Sequence, residues 1–404
     1  MLFQTLDDKH ECVGIYCDKT LVFDKDKFPE ALSKTWKYSA HMRERDNIEY
    51  ANLYVGNKKI EEVIPEYLKD DWHDVSSRLL SFRRSLKISK VSLEDNCIYD
   101  LVPERFLMEF CEVKNRITEH VLENYEKPQR YKYLLNVCQM LEDISNHRLN
   151  INTRKLNTYL KNHSSTPGMS RLKDVSPYIR YNQFGTKTGR LTTREDSFPI
   201  LTLKRDLRSI VEPRNDYIME LDFNGAEVRV MMGLLDIPQP QGDVHKFHSD
   251  EVFGGTLTRE RVKTAFFAWL YGSKSAKNSP EGKVLEKFYD KGKILDQHWD
   301  GKTVHTTFRK KIFNVDEHHA LNYIVQSTAA ELTLLQAVKI DYLLRSRGAK
   351  SRIMCIIHDA IVFDFNKEDE ELIPDIKKLM SSTKFGNFEI NINKGTNLGA
   401  LKGI

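Results

Sequence analysis

The chain has 404 residues, 40% of them apolar and 30% charged, with 20 Phe, 17 Tyr and 4 Trp. That composition fits a globular protein and excludes a disordered chain, and at roughly 150 residues per domain the length suggests two to three domains. The net charge of +4 is too small to identify a nucleic-acid partner, and no apolar run approaches the roughly 18 residues of a membrane span.

The first residues, Met1-Leu2-Phe3-Gln4, lack a basic stretch followed by an apolar one. No signal peptide is expected. Cysteines stand at 12, 17, 97, 111, 138 and 355, with no CxxC and no zinc spacing. They read as reduced, mostly buried thiols, and the expected location is cytoplasmic (host cytoplasm if the source is viral).

Residues 1 to about 60 read as short strands and turns, with Val13–Tyr16 and Leu21–Phe23 as strand candidates. From about 61 to 148 the pattern turns helical. Phe106, Phe110, Val113, Ile117, Val121 and Leu122 recur at spacings of three and four. Tyr133, Leu134, Val137, Met140, Leu141 and Ile144 do the same, and Pro128 separates the two runs. Residues 163–178 are turn-rich and read as a linker. Between Arg171 and Arg214 ten basic residues face five acidic ones; such a run serves a solvated face or a nucleic-acid groove. Tyr217–Phe223 alternates as a strand, with a helix expected from Gly225 onward. Arg259–Tyr271 reads as a basic amphipathic helix. Arg352–Phe363 reads as strand, tight turn and strand, with Asp359 at the tip.

Asp222 ends one strand and Asp359 tips a hairpin. Each could simply solvate a strand end. Together, two carboxylates at strand ends can hold divalent ions for phosphoryl transfer, and Mg²⁺ suits a site with few protein carboxylates. Arg259, Lys263, Phe267 and Tyr271 repeat every four residues. Each step turns about 40° beyond a full turn and rises about 6 Å, so they form one slowly winding stripe. Two cations followed by two aromatics suit a nucleoside triphosphate, with charge for phosphates and ring faces for bases. The plainer alternative is a helix with core aromatics and snorkelling cations. Asn224-Gly-Ala-Glu227 allows a capping box, with Asn224 as cap and Glu227 reaching back. The other reading of Glu227 places it beside the sugar of a nucleotide.

These segments, in this order, resemble the motifs of family A, the polymerase I-like DNA polymerases. The resemblance covers about residues 130–404. Arg180-Tyr-Asn-Gln183 with Thr188-Gly-Arg-Leu191 resembles the approach to the palm. Leu221-Asp222-Phe-Asn-Gly-Ala-Glu227-Val-Arg229 resembles motif A, and Asp243-Val-His245 resembles an Asp-Ile-His element. Arg259-x-x-x-Lys263-x-x-x-Phe267-x-x-x-Tyr271-Gly272 resembles motif B. Asn322-x-x-Val325-Gln326-Ser-Thr-Ala-Ala-Glu331 resembles the following finger helix, and Ile357-His358-Asp359 resembles motif C.

The resemblance implies an α+β right-hand fold. It has an antiparallel β palm, helical fingers, a reduced thumb and a small N-terminal α/β accessory region. The expected parts are 1–115 accessory or degenerate exonuclease-like, 116–178 helical palm approach and reduced thumb, 179–240 palm, 241–340 fingers and 341–404 palm. It implies a template-directed DNA polymerase, in replication or repair, working on primer-template DNA and dNTPs. Asp222 and Asp359 would hold two Mg²⁺ ions (Mn²⁺ as a substitute), with Lys263 as a third catalytic residue. Arg259, Lys263, His245, Phe267, Tyr271 and Glu227 would bind the nucleotide, Glu227 as a steric gate against ribose. Arg190, Asn322, Gln326 and His358 would contact DNA. Arg229 reads as a structural pair within the palm. A separate exonuclease, a helicase or a processivity factor is a candidate further partner, and no membrane is expected.

Several positions depart from the family pattern. Ala268 stands where a Gly follows the motif B aromatic, Ala360 where motif C carries Glu, and His318 near a usual Arg. Phe198–Leu203 replaces an Asn-rich stretch, and Asn152–Tyr178 is short for a thumb. No Asp-x-Glu occurs in residues 1–150, so no proofreading exonuclease is expected there, which gives the resemblance a phage-like cast. The alternatives are a single-subunit RNA polymerase, which Glu227 argues against, and an inactive DNA-binding subunit, which both retained aspartates argue against.

Overall fold

The structure is a computed structural model that describes residues 1–8, 11–93, 95–162, 172 and 175–404; for Glu11–Val13 and Lys277 it describes the backbone alone. The chain divides into two compact units, Met1–Asn146 and His147–Ile404.

The first unit begins with an antiparallel sheet of β1 (Phe3–Asp8), β2 (Glu11–Cys17) and β3 (Thr20–Val22), in that order. Three long helices follow: α1 (Lys69–Ile88), α2 (Glu104–Asn124) and α3 (Tyr131–Ser145). The apolar stripe of α2 puts Phe106, Phe110, Ile117 and Val121 into one core with Leu6, Trp36 and Trp72. Gln4 Nε2 donates to Asn115 Oδ1 at 3.0 Å and Thr118 Oγ1 at 3.1 Å, satisfying buried polar atoms between sheet and helix.

The expected division at residue 115 falls inside α2, and residues 116–146 lie in this unit. The reason is packing at long range. α3 buries Val137, Met140, Leu141 and Ile144, Arg43 pairs with Asp143, and Tyr50 N donates to Tyr131 Oη at 2.8 Å. Pro128 lies between two helices without ending the unit.

The second unit opens with α4 (Thr153–Asn162). Residues 163–171, part of the expected linker and short thumb stretch, lie outside the described residues, as does the side chain of Cys12. The centre is an antiparallel sheet of five strands: β4 (Tyr217–Phe223), β5 (Arg352–Ile357), β6 (Ala360–Phe365), β7 (Ile390–Gly395) and β8 (Lys402–Gly403). Their order is β5-β6-β4-β7-β8, so β4 is central. That position explains its composition: Tyr217, Ile218, Met219, Leu221 and Phe223 are buried, while Glu220 and Asp222 are partly exposed. α5 (Ala226–Leu234), α6 (Arg259–Leu270) and the 30-residue α7 (Glu317–Ser346) complete the unit's principal elements.

Among the described residues no helix is long and apolar enough to cross a membrane. Among the described residues Cys17, Cys97, Cys111, Cys138 and Cys355 form no disulfide, and all but Cys138 are buried.

Candidate active site

A cleft of about 390 Å³ opens at one end of the central strand. Its walls are built by turns that the local sequence makes possible. After β4 the chain reverses into α5 through Gly225, whose φ is +71°. A Cβ there would stand 2.5 Å from Val244 Cγ1, so glycine meets both the backbone and the space requirement. β5 and β6 join through the two-residue loop His358-Asp359, with Ile357 paired to Ala360. His358 takes a φ of +58°, which such a short hairpin demands at its first loop position. The strained turn brings Asp359 into the cleft beside Asp222.

The two carboxylates work against each other. Burial, then the charge of Asp359, pushes Asp222 up to about 7. Asp359 is raised as well, chiefly by burial, while Arg190, His358 and Lys263 pull it down. Neither acid has a salt bridge among the described residues, and no third His, Cys, Asp or Glu completes a metal cluster there. Two half-buried, closely set oxygen donors are a demand for external positive charge.

The opposite wall is α6. Thr258 caps it, its Oγ1 accepting from Arg261 N. Arg259, Lys263, Phe267 and Tyr271 all line the cleft, with the Phe267 and Tyr271 rings 5.7 Å apart. The cationic end is already engaged. Arg259 Nε and Nη2 donate to Asp243 Oδ2 at 3.0 and 2.6 Å. Asp243 also caps Lys246 N at 2.8 Å, so its carboxyl is held far below the usual range, against the effect of burial. Any anion taking Arg259 must compete with Asp243. His245 is 3% exposed, and burial lowers it to about 4, so its ring is neutral at neutral pH. Its Nδ1 is buried without a hydrogen-bond partner.

Glu227 does not form the capping box. Gly225 is the helix cap, and no side chain caps the α5 amides. Asn224 Oδ1 instead accepts from Val244 N at 2.8 Å. Glu227, 6% exposed, pairs with Arg190 and accepts from Tyr271 Oη at 3.0 Å. Burial raises its carboxyl, and Arg190 and Tyr271 oppose that. Arg229 is fully buried, but its partners are backbone carbonyls rather than an acid. It donates to Asn224 O at 2.7 Å, Pro240 O at 3.0 Å and Gly242 O at 2.6 Å. It thereby pins the loop that carries Asp243.

Ten of the residues singled out from the sequence therefore share one cleft: Arg190, Asp222, Glu227, His245, Arg259, Lys263, Phe267, Tyr271, His358 and Asp359. Asn322 and Gln326 do not line it. They lie on α7 along the same face as Ala329, Ala330 and Thr333, which do. His318 packs on Gly272, whose Cβ would sit 2.6 Å from the ring. The sequence reading missed Asn391, Asn224, Thr333 and the pairing role of Asp243. A larger open groove of about 760 Å³ lies by Gly233, Lys377 and Phe385, and none of the motif residues lines it.

Comparisons with known proteins point to one family. The DNA polymerase family A model matches residues 300–400. DNA polymerase I of Aquifex aeolicus is 25% identical over 244 residues, which cover 51% of this chain and 42% of that protein. Thermostable DNA polymerase I of Thermus aquaticus is 25% identical over 246 residues, 50% of this chain and 29% of that protein. The chain thus spans less than half the length of these relatives. A solved structure, the POL domain of Pol1 from M. smegmatis in complex with DNA primer-template and dNTP, shares the fold. Its TM-score is 0.58 at 15% identity, over 73% of this chain and 76% of that one. Over residues 300–400 and in its motif order, the chain is thus similar to DNA polymerase family A.

Proposed function

We propose that the chain is a template-directed DNA polymerase that adds deoxynucleotides to a primer end by nucleotidyl transfer. One observation carries this reading: the paired acids Asp222 and Asp359 face the cation-aromatic stripe of α6 across a single cleft. In right-hand terms the five-stranded sheet serves as palm and α6 with α7 as fingers, and the thumb is reduced.

The acids fit divalent metal. They are hard oxygen donors set side by side, both raised chiefly by burial, Asp222 also by the charge of Asp359. Asp222 and Asp359 would hold the ions, Mg²⁺ by donor chemistry, and bound there the ions would activate the primer hydroxyl and stabilise charge on the leaving pyrophosphate. The remaining work falls to the chain's own side chains. Lys263 offers its ammonium to the triphosphate, and Arg259 follows once freed from Asp243. His245, neutral and with an open Nδ1, accepts or donates a hydrogen bond without adding charge. Phe267 offers a ring face to the sugar and base, and Tyr271 lies towards the template. Glu227 fills the space that a ribose 2′-hydroxyl needs. Arg190, Asn322, Gln326 and His358 would contact primer or template.

Primer extension by wild type, Asp222→Ala and Asp359→Ala tests the reading. Extension should vanish in both variants while primer-template binding persists. Extension at the wild-type rate by either variant contradicts it.

A further inference from the structure

β7 begins Ile390-Asn391-Ile392-Asn393. Strand alternation puts both asparagines on one face. β7 runs antiparallel to β4, with Asn391 opposite Asp222 and Asn393 opposite Glu220. Each amide faces an acid. Asn393 Nδ2 donates to Glu220 Oε1 at 2.9 Å, and Asn391 stands directly opposite Asp222, lines the same cleft and draws its carboxyl down. On the other flank of β4 the same acids face Ala360 and Val362, which offer no polar group. The polar side chains that face these acids from neighbouring strands therefore come from β7. Asn391 also lines the cleft itself.

A carboxylate has two oxygens, and it rotates about its last bond unless something holds it. Asp222 stands at the end of a strand, beside a second acid whose repulsion favours turning away. A donor on the neighbouring strand opposes that rotation. Glu220 lies two residues earlier on the same face and bears on Asp222 by its charge. Bonded to Asn393, Glu220 has its own fixed partner.

Resting on the polymerase reading of the cleft, we propose that Asn391 is a positioning residue. Its amide holds one oxygen of Asp222 and presents the other to a divalent cation, while Asn393 keeps Glu220 from competing for that cation. Asn391 acts through Asp222 rather than on the substrate.

The test uses the full chain and Mn²⁺ as probe, titrated by electron paramagnetic resonance without DNA. Asn391→Leu keeps the side-chain size and removes the amide. It should weaken Mn²⁺ binding by about tenfold, the worth of a hydrogen bond to a charged group. The metal concentration for half-maximal extension should rise by a similar factor. Primer-template affinity and Tm should match wild type. Equal Mn²⁺ affinity in the leucine variant overturns the proposal, and so does a loss that merely follows a fall in Tm. Asn391→Asp separates positioning from ligation: it should also weaken the site, because a further acid repels Asp222 instead of holding it. Tighter Mn²⁺ binding by that variant makes position 391 a metal ligand and overturns the proposal; should the leucine variant not fold, this comparison carries the test. A wild type that binds Mn²⁺ yet extends no primer defeats the polymerase reading and leaves the titration standing.

Discussion

Replacing Glu227 separates its two possible jobs. The side chain is 6% exposed, paired with Arg190 and bonded to Tyr271 Oη. Glu227→Ala removes both contacts and opens a hole beside the nucleotide. A hydrogen bond or clash at such a point is worth about 1–3 kcal/mol, roughly a tenfold to hundredfold change in selection. The ratio of kcat/KM for dNTP over rNTP should fall by that factor. Glu227→Gln keeps the bulk and loses the charge. The Arg190 side chain is 38% exposed, so the ion pair is worth at most about 1 kcal/mol. The glutamine variant should therefore retain most of its sugar discrimination. Steady-state incorporation of a single dNTP or rNTP by the three proteins measures both ratios. An alanine variant that discriminates as wild type does, while melting at a lower temperature, would reduce Glu227 to a structural residue and refute the gate.

Four further outcomes are expected. Asp222→Asn should raise Tm in metal-free buffer at pH 8, because it removes one of two half-buried charges set side by side; a lower Tm would contradict that electrostatic picture. His248 is buried, shares a hydrogen bond with Tyr289 Oη, and is lowered to about 4 by burial and by His245. Its unfolded form takes a proton near pH 6.5 and its folded form does not, so stability is complete above pH 6.5 and falls as pH drops towards 4. Between pH 6.5 and 5 the loss should be about 2 kcal/mol, read from urea midpoints and reduced in His248→Asn; a variant with the wild-type pH slope rejects it. DNA affinity should fall steeply with salt whatever the sequence, and a flat salt dependence would argue against phosphate binding by Arg and Lys. Phe267→Tyr should relax discrimination against dideoxynucleotides by supplying a hydroxyl near the sugar 3′ position, and unchanged ddNTP incorporation would misplace the Phe267 ring.

Much of the site was legible because its parts are short and local. The strand before Asp222, the hairpin carrying Asp359 and the four-residue stripe of α6 each follow from one segment's periodicity. What escaped depends on partners far along the chain. Glu227 reads as a helix cap from its neighbours, yet Arg190, 37 residues away, and Tyr271, 44 away, claim it. Arg259 reads as a free cation, yet Asp243 holds it. Asn391 shows strand alternation, but its sequence does not say which strand lies opposite. The division after Asn146 is hidden for the same reason, since contacts of Arg43 and Tyr50 with α3 are invisible to a local reading.

The central claim is that this cleft copies a template. The direct measurement is single-turnover addition to one primer annealed to four templates that differ only in the first unpaired base, with all four dNTPs and Mg²⁺ present. Wild type should add the complementary deoxynucleotide on each template, and Asp359→Ala should add none. Addition of the same nucleotide on all four templates, or no addition by wild type, contradicts the account.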